Sequence, residues 1–188
     1  MNRTGATLVV IALCSAIAGF LLSRAASTPA PLTVANIEQS PPVPAVVDVR
    51  GLYRPDFSLA DLSGNIRTLS EWDGKVIAVN FWASWCAPCL QEIPELVYLQ
   101  HRYGDKGLQI LGIALQKPEE LGEFIAEYKM NYPVLAGEAA VIEIAENFGN
   151  SFGALPYTAI IDRSGRIIFV KAGPVTGKEV EDLIMPLL

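Results

Sequence analysis

The run Val76-Ile77-Ala78-Val79-Asn80-Phe81-Trp82, followed by Ala83-Ser84-Trp85-Cys86-Ala87-Pro88-Cys89, constrains this chain more than any other stretch. A near-continuous apolar run of that length reads as a strand buried on both faces of a parallel sheet. The residues from Ala87 onward read as a helix. Cys86 therefore falls where a strand's C-terminal end meets a helix N-terminus, where unpaired backbone N–H groups and the helix dipole favour a thiolate over a thiol. An unperturbed thiol with a pKa of about 8.5 is only a few per cent ionised at neutral pH, and such a setting brings it to roughly 3.5 to 7.5. Two thiols three positions apart can open and close a disulfide at little structural cost. Cys86 is the expected nucleophile, and Cys89, one turn inside the helix, is placed to resolve a mixed disulfide. Pro88 suits the first helical turn, because its φ is preset and its missing N–H removes an orphan donor.

Other uses of the pair meet physical obstacles. A zinc site needs four ligands, and the further thiol and imidazole candidates are Cys14, in an apolar segment, and the single histidine, His101. A purely structural disulfide closing so short a loop restrains little of the unfolded chain. No metal and no cofactor is expected. The net charge of -6 offers no basic patch for nucleic acid.

The chain's start bears on the compartment. Ala6 to Leu22 is uncharged and mostly apolar over about 17 residues, short for a transmembrane helix and long for a signal-peptide core. Residues 1–27 read as a membrane anchor or as a signal cleaved near Ala25-Ala26-Ser27, and either implies export. Bulky Leu13 before Cys14 argues against lipoprotein processing, so Cys14 reads as an apolar filler. Residues 28–45 carry Pro29, Pro31, Pro41, Pro42 and Pro44, a semi-rigid linker. Residues 46–188 then form one domain with two cysteines, too few for a disulfide framework.

Within that domain the patterning alternates strand and helix. Phe57 to Asp61 and Ile66 to Leu69 flank Ser63-Gly64-Asn65 as a hairpin. Residues 75–83 form the buried strand, 87–103 a helix kinked at Pro94, and 108–115 a second buried strand, making a βαβ unit. Leu121, Phe124, Ile125 and Tyr128 form one helical stripe, and Val141, Ile144, Ala145 and Phe148 another, both read as core faces. Tyr157 to Ile161 and Arg166 to Lys171 pair across Asp162-Arg163-Ser164-Gly165. A last helix begins at Thr176, with Glu179 completing a capping box and Val180, Leu183, Ile184 and Leu187 as its buried face.

Asn80-Phe81-Trp82-Ala83-Ser84-Trp85-Cys86-Ala87-Pro88-Cys89, the helix proline Pro94 and the segment Leu155-Pro156-Tyr157-Thr158 together resemble the thioredoxin-like proteins, and within them the membrane-anchored TlpA/ResA-type thiol:disulfide oxidoreductases. The resemblance covers about residues 46 to 188. It implies an α/β thioredoxin-like fold, a central mixed sheet flanked by helices, with an N-terminal β-hairpin and a central insertion over Gln116 to Ala154. It marks Pro156 as a cis-proline beside the dithiol, with the Leu155 backbone free to pair with an extended substrate. Trp85, Ala87 and Pro88 complete the implied substrate surface, and Trp82 is a second candidate wall of the dithiol. Thioredoxins carry a buried aspartate where this chain has Asn80. Glu92, three residues after Cys89 on the same helix face, matches the buried glutamate of the ResA-type subgroup and is the candidate proton acceptor for the resolving thiol. Glu95 is the plainer carboxylate, and His101, near the helix end, reads as a solvated residue favourable to the dipole.

The Ala-Pro dipeptide between the cysteines holds no histidine to stabilise a Cys86 thiolate further, which favours a reductant. The resemblance implies reduction of disulfides in exported proteins, such as the haem-binding cysteines of apocytochrome c, with electrons from a transmembrane thiol reductase. The implied setting is the periplasmic face of a bacterial inner membrane, or the soluble periplasm if the signal is cleaved. Tethering would raise the effective concentration of donor and acceptor. Two other classes use similar parts. A thiol peroxidase expects a hydroxyl three residues before its cysteine, where this chain has Ala83. A Cu(I)-handling module could use the two thiolates, with Met130 and Met185 the methionines beyond the first residue.

Overall fold

A computed structural model of the chain describes residues 47–188. The anchor or signal over 1–27, with Cys14, and the proline-rich linker over 28–45 lie outside the described residues. Among the described residues no helix is long and apolar enough to cross a membrane.

The chain runs β1 (Ser58–Ala60), β2 (Ile66–Thr68), β3 (Val76–Trp82), α1 (Ala87–Tyr103), β4 (Leu108–Leu115), α2 (Gly122–Glu127), β5 (Val134–Gly137), α3 (Ala139–Asn147), β6 (Tyr157–Ile161), β7 (Ile167–Ala172) and α4 (Gly177–Ile184). β1 and β2 form a separate antiparallel hairpin, and the other five strands form one mixed sheet in the order β5-β4-β3-β6-β7. β3 is parallel to β4 and antiparallel to β6, so it is hydrogen-bonded on both edges. Its seven residues are all buried, because helices or the hairpin cover both faces.

The alternation of side chains along β3 explains its unbroken apolar character. Val76, Ala78 and Trp82 join a cluster with Ile93, Leu96 and Leu99 of α1 and with Val180 and Ile184 of α4. Ile77, Val79 and Phe81 face the other way, into a cluster with Leu59, Leu69, Trp72, Val141, Ile144 and Phe148. Phe148 meets the rings of Phe57 and Phe81 at centroid separations of 6.2 and 5.8 Å, within the range of favourable aromatic contact.

α1 has the expected bounds, with Pro94 inside it. Other expectations need adjustment. The stripe from Leu121 to Tyr128 yields only the short α2, and of its four residues Leu121 alone is fully buried, with Phe124, Ile125 and Tyr128 packed at the cluster's margin. The segment from Gln116 to Ala154 also holds β5, which the sequence reading left out: four residues are too few for a periodicity to emerge. At α4 the Thr176 hydroxyl accepts the Glu179 N–H, but the Glu179 carboxylate turns to Lys171 Nζ at 2.7 and 2.9 Å instead of closing the box.

The stretch before β1 is pinned by Arg54, whose buried guanidinium donates to Asp56 at 3.0 Å and Asp73 at 2.5 Å. Its backbone N–H donates to the Gly165 carbonyl at 2.8 Å. Gly165 must be glycine there: its φ is +84°, and a Cβ would lie 2.6 Å from the Tyr53 ring.

Phe148→Ala is expected to lower unfolding free energy by about 3–5 kcal/mol, the cost of emptying a fully buried aromatic site. Denaturant unfolding of the whole chain measures it, and a loss below about 1 kcal/mol would mean that Phe148 is not central to this cluster.

Candidate active site

β3 stops at Trp82, and Ala83–Cys86 makes a turn closed by the Cys86 N–H donating to the Ala83 carbonyl at 3.1 Å. Trp85 stands in this turn, 67% exposed. Cys86 follows as the N-cap of α1 in extended backbone, and its carbonyl accepts from the N–H groups of Cys89 and Leu90 at 3.0 and 3.3 Å. Cys86 and Cys89 are joined by a disulfide. Cys86 keeps 6% of its surface exposed and Cys89 none, so an approaching partner can reach only the first sulfur. The Cys86 side chain makes no capping hydrogen bond. The helix N-terminus is thus left to stabilise a Cys86 thiolate once the disulfide opens.

Two buried amides hold the backbone around the dithiol. Gln116, just past β4, accepts the Ser84 N–H on its Oε1 at 2.7 Å and so pins the turn from the neighbouring strand. Asn150 brackets Ala154, donating to its carbonyl and accepting its N–H, each at 2.9 Å. That clamp sets the approach to Leu155-Pro156, where the peptide bond is cis. The Pro156 carbonyl accepts from the Gly173 N–H at 2.8 Å, while among the described residues the N–H and carbonyl of Leu155 have no backbone partner. Ala87 and Pro88 are exposed and Leu155 half-buried.

Beneath the dithiol, Glu92 lies one turn beyond Cys89 and is only 2% exposed. Its Oε1 accepts from Asn80 Nδ2 at 2.6 Å and its Oε2 from the Val175 N–H at 2.8 Å. Asn80 Nδ2 also donates to Thr158 Oγ1 at 3.0 Å, across the β3–β6 pairing in which the two residues stand opposite. Burial pushes the Glu92 pKa above the usual carboxyl value. The Val175 N–H, the Asn80 amide and the Lys171 charge pull the other way without cancelling it.

The structure therefore brings Cys86, Cys89 and Glu92 together on the first turns of one helix. Trp82 is fully buried, its ring 5.3 Å from that of Phe124, and serves packing on the sheet. Glu95 accepts the Gly177 N–H at the start of α4, and His101 is exposed near the end of α1. Among the described residues no three His, Cys, Asp or Glu side chains gather as a metal site would require. Gln116, Asn150, Thr158 and the Val175 N–H went unrecognised in the sequence. For Gln116 a signal existed: a polar residue just beyond the C-terminal end of a buried parallel strand is where α/β sheets present functional groups.

Known proteins resemble this chain over the same region. The Redoxin family model matches residues 50–184. The thioredoxin-like protein YneN of Bacillus subtilis is 34% identical over 135 residues, spanning 70% of this chain and 76% of that protein. The thiol-disulfide oxidoreductase ResA of Geobacillus kaustophilus is 31% identical over 132 residues, 70% of this chain and 74% of its own. Among solved structures, a thiol:disulfide interchange protein of the thioredoxin family from Chlorobium tepidum superposes with a TM-score of 0.66 at 26% identity, covering 74% of this chain and 98% of that one. A secreted thiol-disulfide isomerase from Corynebacterium glutamicum gives 0.66 at 26%, covering 71% and 84%.

The pinned turn yields one expectation. Gln116→Leu keeps bulk but leaves the Ser84 N–H without its acceptor, so it should lower stability by about 1 kcal/mol and slow disulfide exchange by loosening the turn that carries Cys86. An unchanged rate in a stopped-flow exchange assay would remove Gln116 from the site. The raised Glu92 pKa yields another. Between the ordinary carboxyl value and the raised one the folded chain holds a proton that the unfolded chain has released. Stability from this group is therefore full at acid pH and lost as pH rises through the folded value. Glu92→Gln escapes that loss, so its melting temperature relative to wild type should climb as pH rises from the ordinary carboxyl value through the raised one. A flat difference in thermal melts across that range would contradict it.

Proposed function

The chain belongs to the Redoxin family, as a TlpA/ResA-type thioredoxin-like thiol:disulfide oxidoreductase, and on that premise we propose that it reduces disulfides of exported proteins. In the reduced protein the Cys86 thiolate attacks one sulfur of the substrate disulfide, and the other substrate sulfur leaves as a thiol. Cys89 then attacks Cys86, closing the Cys86–Cys89 disulfide and releasing the second substrate thiol, so that two electrons pass to the substrate. Glu92 takes the proton from the Cys89 thiol as it becomes nucleophilic. A carboxyl with a raised pKa is suited to this, since proton exchange is most effective near the working pH.

The observation that carries this reading is the contrast between the two cysteines: one at a helix N-terminus and open to a partner, the other sealed one turn before a buried carboxyl. Trp85, Ala87 and Pro88 form the surface against which the substrate lies, and the unpartnered Leu155 backbone beside Pro156 receives an extended substrate segment as a short strand. The haem-binding cysteines of apocytochrome c are the substrate class that the resemblance implies. The apolar segment 6–22 tethers the domain to the outer face of the inner membrane, or is cleaved to release it, and the linker 28–45 gives it reach. Likeness to a secreted isomerase supports an extracytoplasmic location. In such a compartment re-reduction requires electrons from across the membrane, hence a transmembrane thiol reductase as donor.

Cys86→Ser should abolish exchange, and Cys89→Ser should accumulate a mixed disulfide with substrate in a cell-envelope extract, seen as a thiol-reversible adduct on non-reducing gels. Capture of nothing by Cys89→Ser would overturn the exchange sequence. The reduction potential of the couple, equilibrated in thiol buffers, should lie near that of thioredoxin, about -270 mV; a value near -120 mV would make the protein a disulfide donor instead.

A further inference from the structure

Three polar side chains from three elements meet in the interior: Asn80 of β3, Glu92 of α1 and Thr158 of β6, all at least 98% buried. Their hydrogen bonds do not balance. Both hydrogens of Asn80 Nδ2 are committed, one to Glu92 Oε1 and one to Thr158 Oγ1, while Asn80 Oδ1 is buried with no partner. Each Glu92 oxygen receives one N–H, from Asn80 and from Val175. This arrangement is complementary to a carboxylate. It faces a carboxylic acid at Oε1 with a donor, where a proton on that oxygen would meet the N–H groups of Asn80.

We propose that Asn80 is a positioning residue whose side-chain amide reverses as Glu92 takes up a proton, so that its contact with Glu92 Oε1 suits either state of the carboxyl while the present orientation favours the ionised one. Of the two donors to Glu92, the Val175 N–H is backbone and cannot change polarity. The Asn80 amide can, because a half-turn about its last side-chain bond exchanges oxygen for nitrogen. Reversal sets Oδ1 against Glu92 Oε1, where it accepts the new O–H. The Thr158 hydroxyl, donor and acceptor alike, follows by donating to the same oxygen. The orphan acceptor then has two partners, but the amide N–H groups move to the side where Oδ1 had none, so the reversed state is costly and lasts only while Glu92 carries its proton. With Glu92 ionised, the reversed amide would set oxygen against carboxylate, so the ionised state holds the present orientation. The proton and the amide therefore move as one coupled event.

Other groups around Glu92 keep their polarity. Lys171 of β7 contributes a positive charge and is itself held by Glu179 of α4. Tyr132, ahead of β5, is buried and its phenol is pushed above its usual range, so it stays neutral as Glu92 titrates. Cys89 lies on α1, one turn away, tied in the disulfide. The bearing of this coupling on disulfide exchange rests on the proton-handling role proposed for Glu92; the coupling itself does not.

The test is made on the oxidised full chain, where neither cysteine titrates. The carboxyl stretch of Glu92, assigned by its loss in Glu92→Gln, gives the titration midpoint by infrared difference spectroscopy. The Asn80 side-chain amide is followed in parallel by nitrogen-15 NMR. The Asn80 amide signals should change with the midpoint of the Glu92 band. Asn80→Leu, which removes the donor, should raise that midpoint by at least one pH unit, a ten-fold gain in proton affinity. Asn80→Asp keeps the shape but offers only acceptors, so the pair should retain one shared proton at a pH where wild type has lost its own. Amide signals that stay constant through the Glu92 titration would overturn the reversal, and they are read on wild type, whatever the variants do. A Glu92 midpoint unmoved in folded Asn80→Leu would remove Asn80 as its determinant. The exchange rate measured against pH separates the two proposals: a profile indifferent to the Glu92 midpoint defeats the proton-handling role while leaving the coupling intact.

Discussion

β3 is the central strand of the five-stranded sheet, hydrogen-bonded along both edges and covered on both faces. Its two neighbours run in opposite directions, β4 parallel and β6 antiparallel, so the end of β3 lies beside the end of β4 and the start of β6. The three elements that surround the dithiol converge there for that reason. The turn to Cys86 leaves β3, Gln116 follows β4, and the cis Leu155-Pro156 bond precedes β6. A shift of register by one residue in β3 would turn Asn80 and Trp82 to the opposite face and break this convergence, which the two-sided apolar clusters prevent.

Buried polar groups in this protein are concentrated at that end. Of the seven buried polar residues among the described ones, Asn80, Glu92, Gln116, Asn150 and Thr158 either hold backbone around the dithiol or surround the buried carboxyl. Burying such groups without partners costs free energy, and each of the five makes at least one hydrogen bond, with Asn80 Oδ1 the exception left unpartnered. Gln116 and Asn150 fix main chain that has no regular secondary structure of its own. Asn80, which also donates to Thr158, and the Val175 N–H hold the buried carboxyl. The rigid part of the site is thus built from amide-to-backbone bonds, while its titratable part is one carboxyl with an adjustable amide neighbour.

The central insertion has a structural part in this arrangement. β5 extends the sheet beside β4 and α3 closes the second cluster through Val141, Ile144 and Ala145. The residue at which the insertion departs from β4 is Gln116, so the same point that leaves the core sheet also reaches back to the Ser84 N–H. The insertion and the active-site turn therefore share one anchoring residue.

Much of this was legible before any coordinates. The unbroken apolar run of β3, the alternation of strand and helix, and the 157–161 and 167–172 hairpin follow from periodicities that single residues rarely disturb. Cys86 and Cys89 stand out by their spacing, and Glu92 by lying on the helix face of Cys89, because helical geometry alone relates positions three apart. By contrast, β5 was too short to show a period, and of the Leu121–Tyr128 stripe only Leu121, just ahead of α2, is fully inside, since tertiary packing sets how far a short helix sinks. Gln116, Thr158 and Val175 are separated from the residues they bond by 32 to 83 positions, and no local pattern links groups that distant. The sequence by itself determined the four longer strands of the sheet, the dithiol and the helix that carries it, because those depend on nearest-neighbour chemistry and repeat. Only the tertiary structure decided which sulfur is sealed, that Glu92 is buried, and which groups meet it, because burial and hydrogen bonding between distant segments exist only once the sheet has brought their ends together.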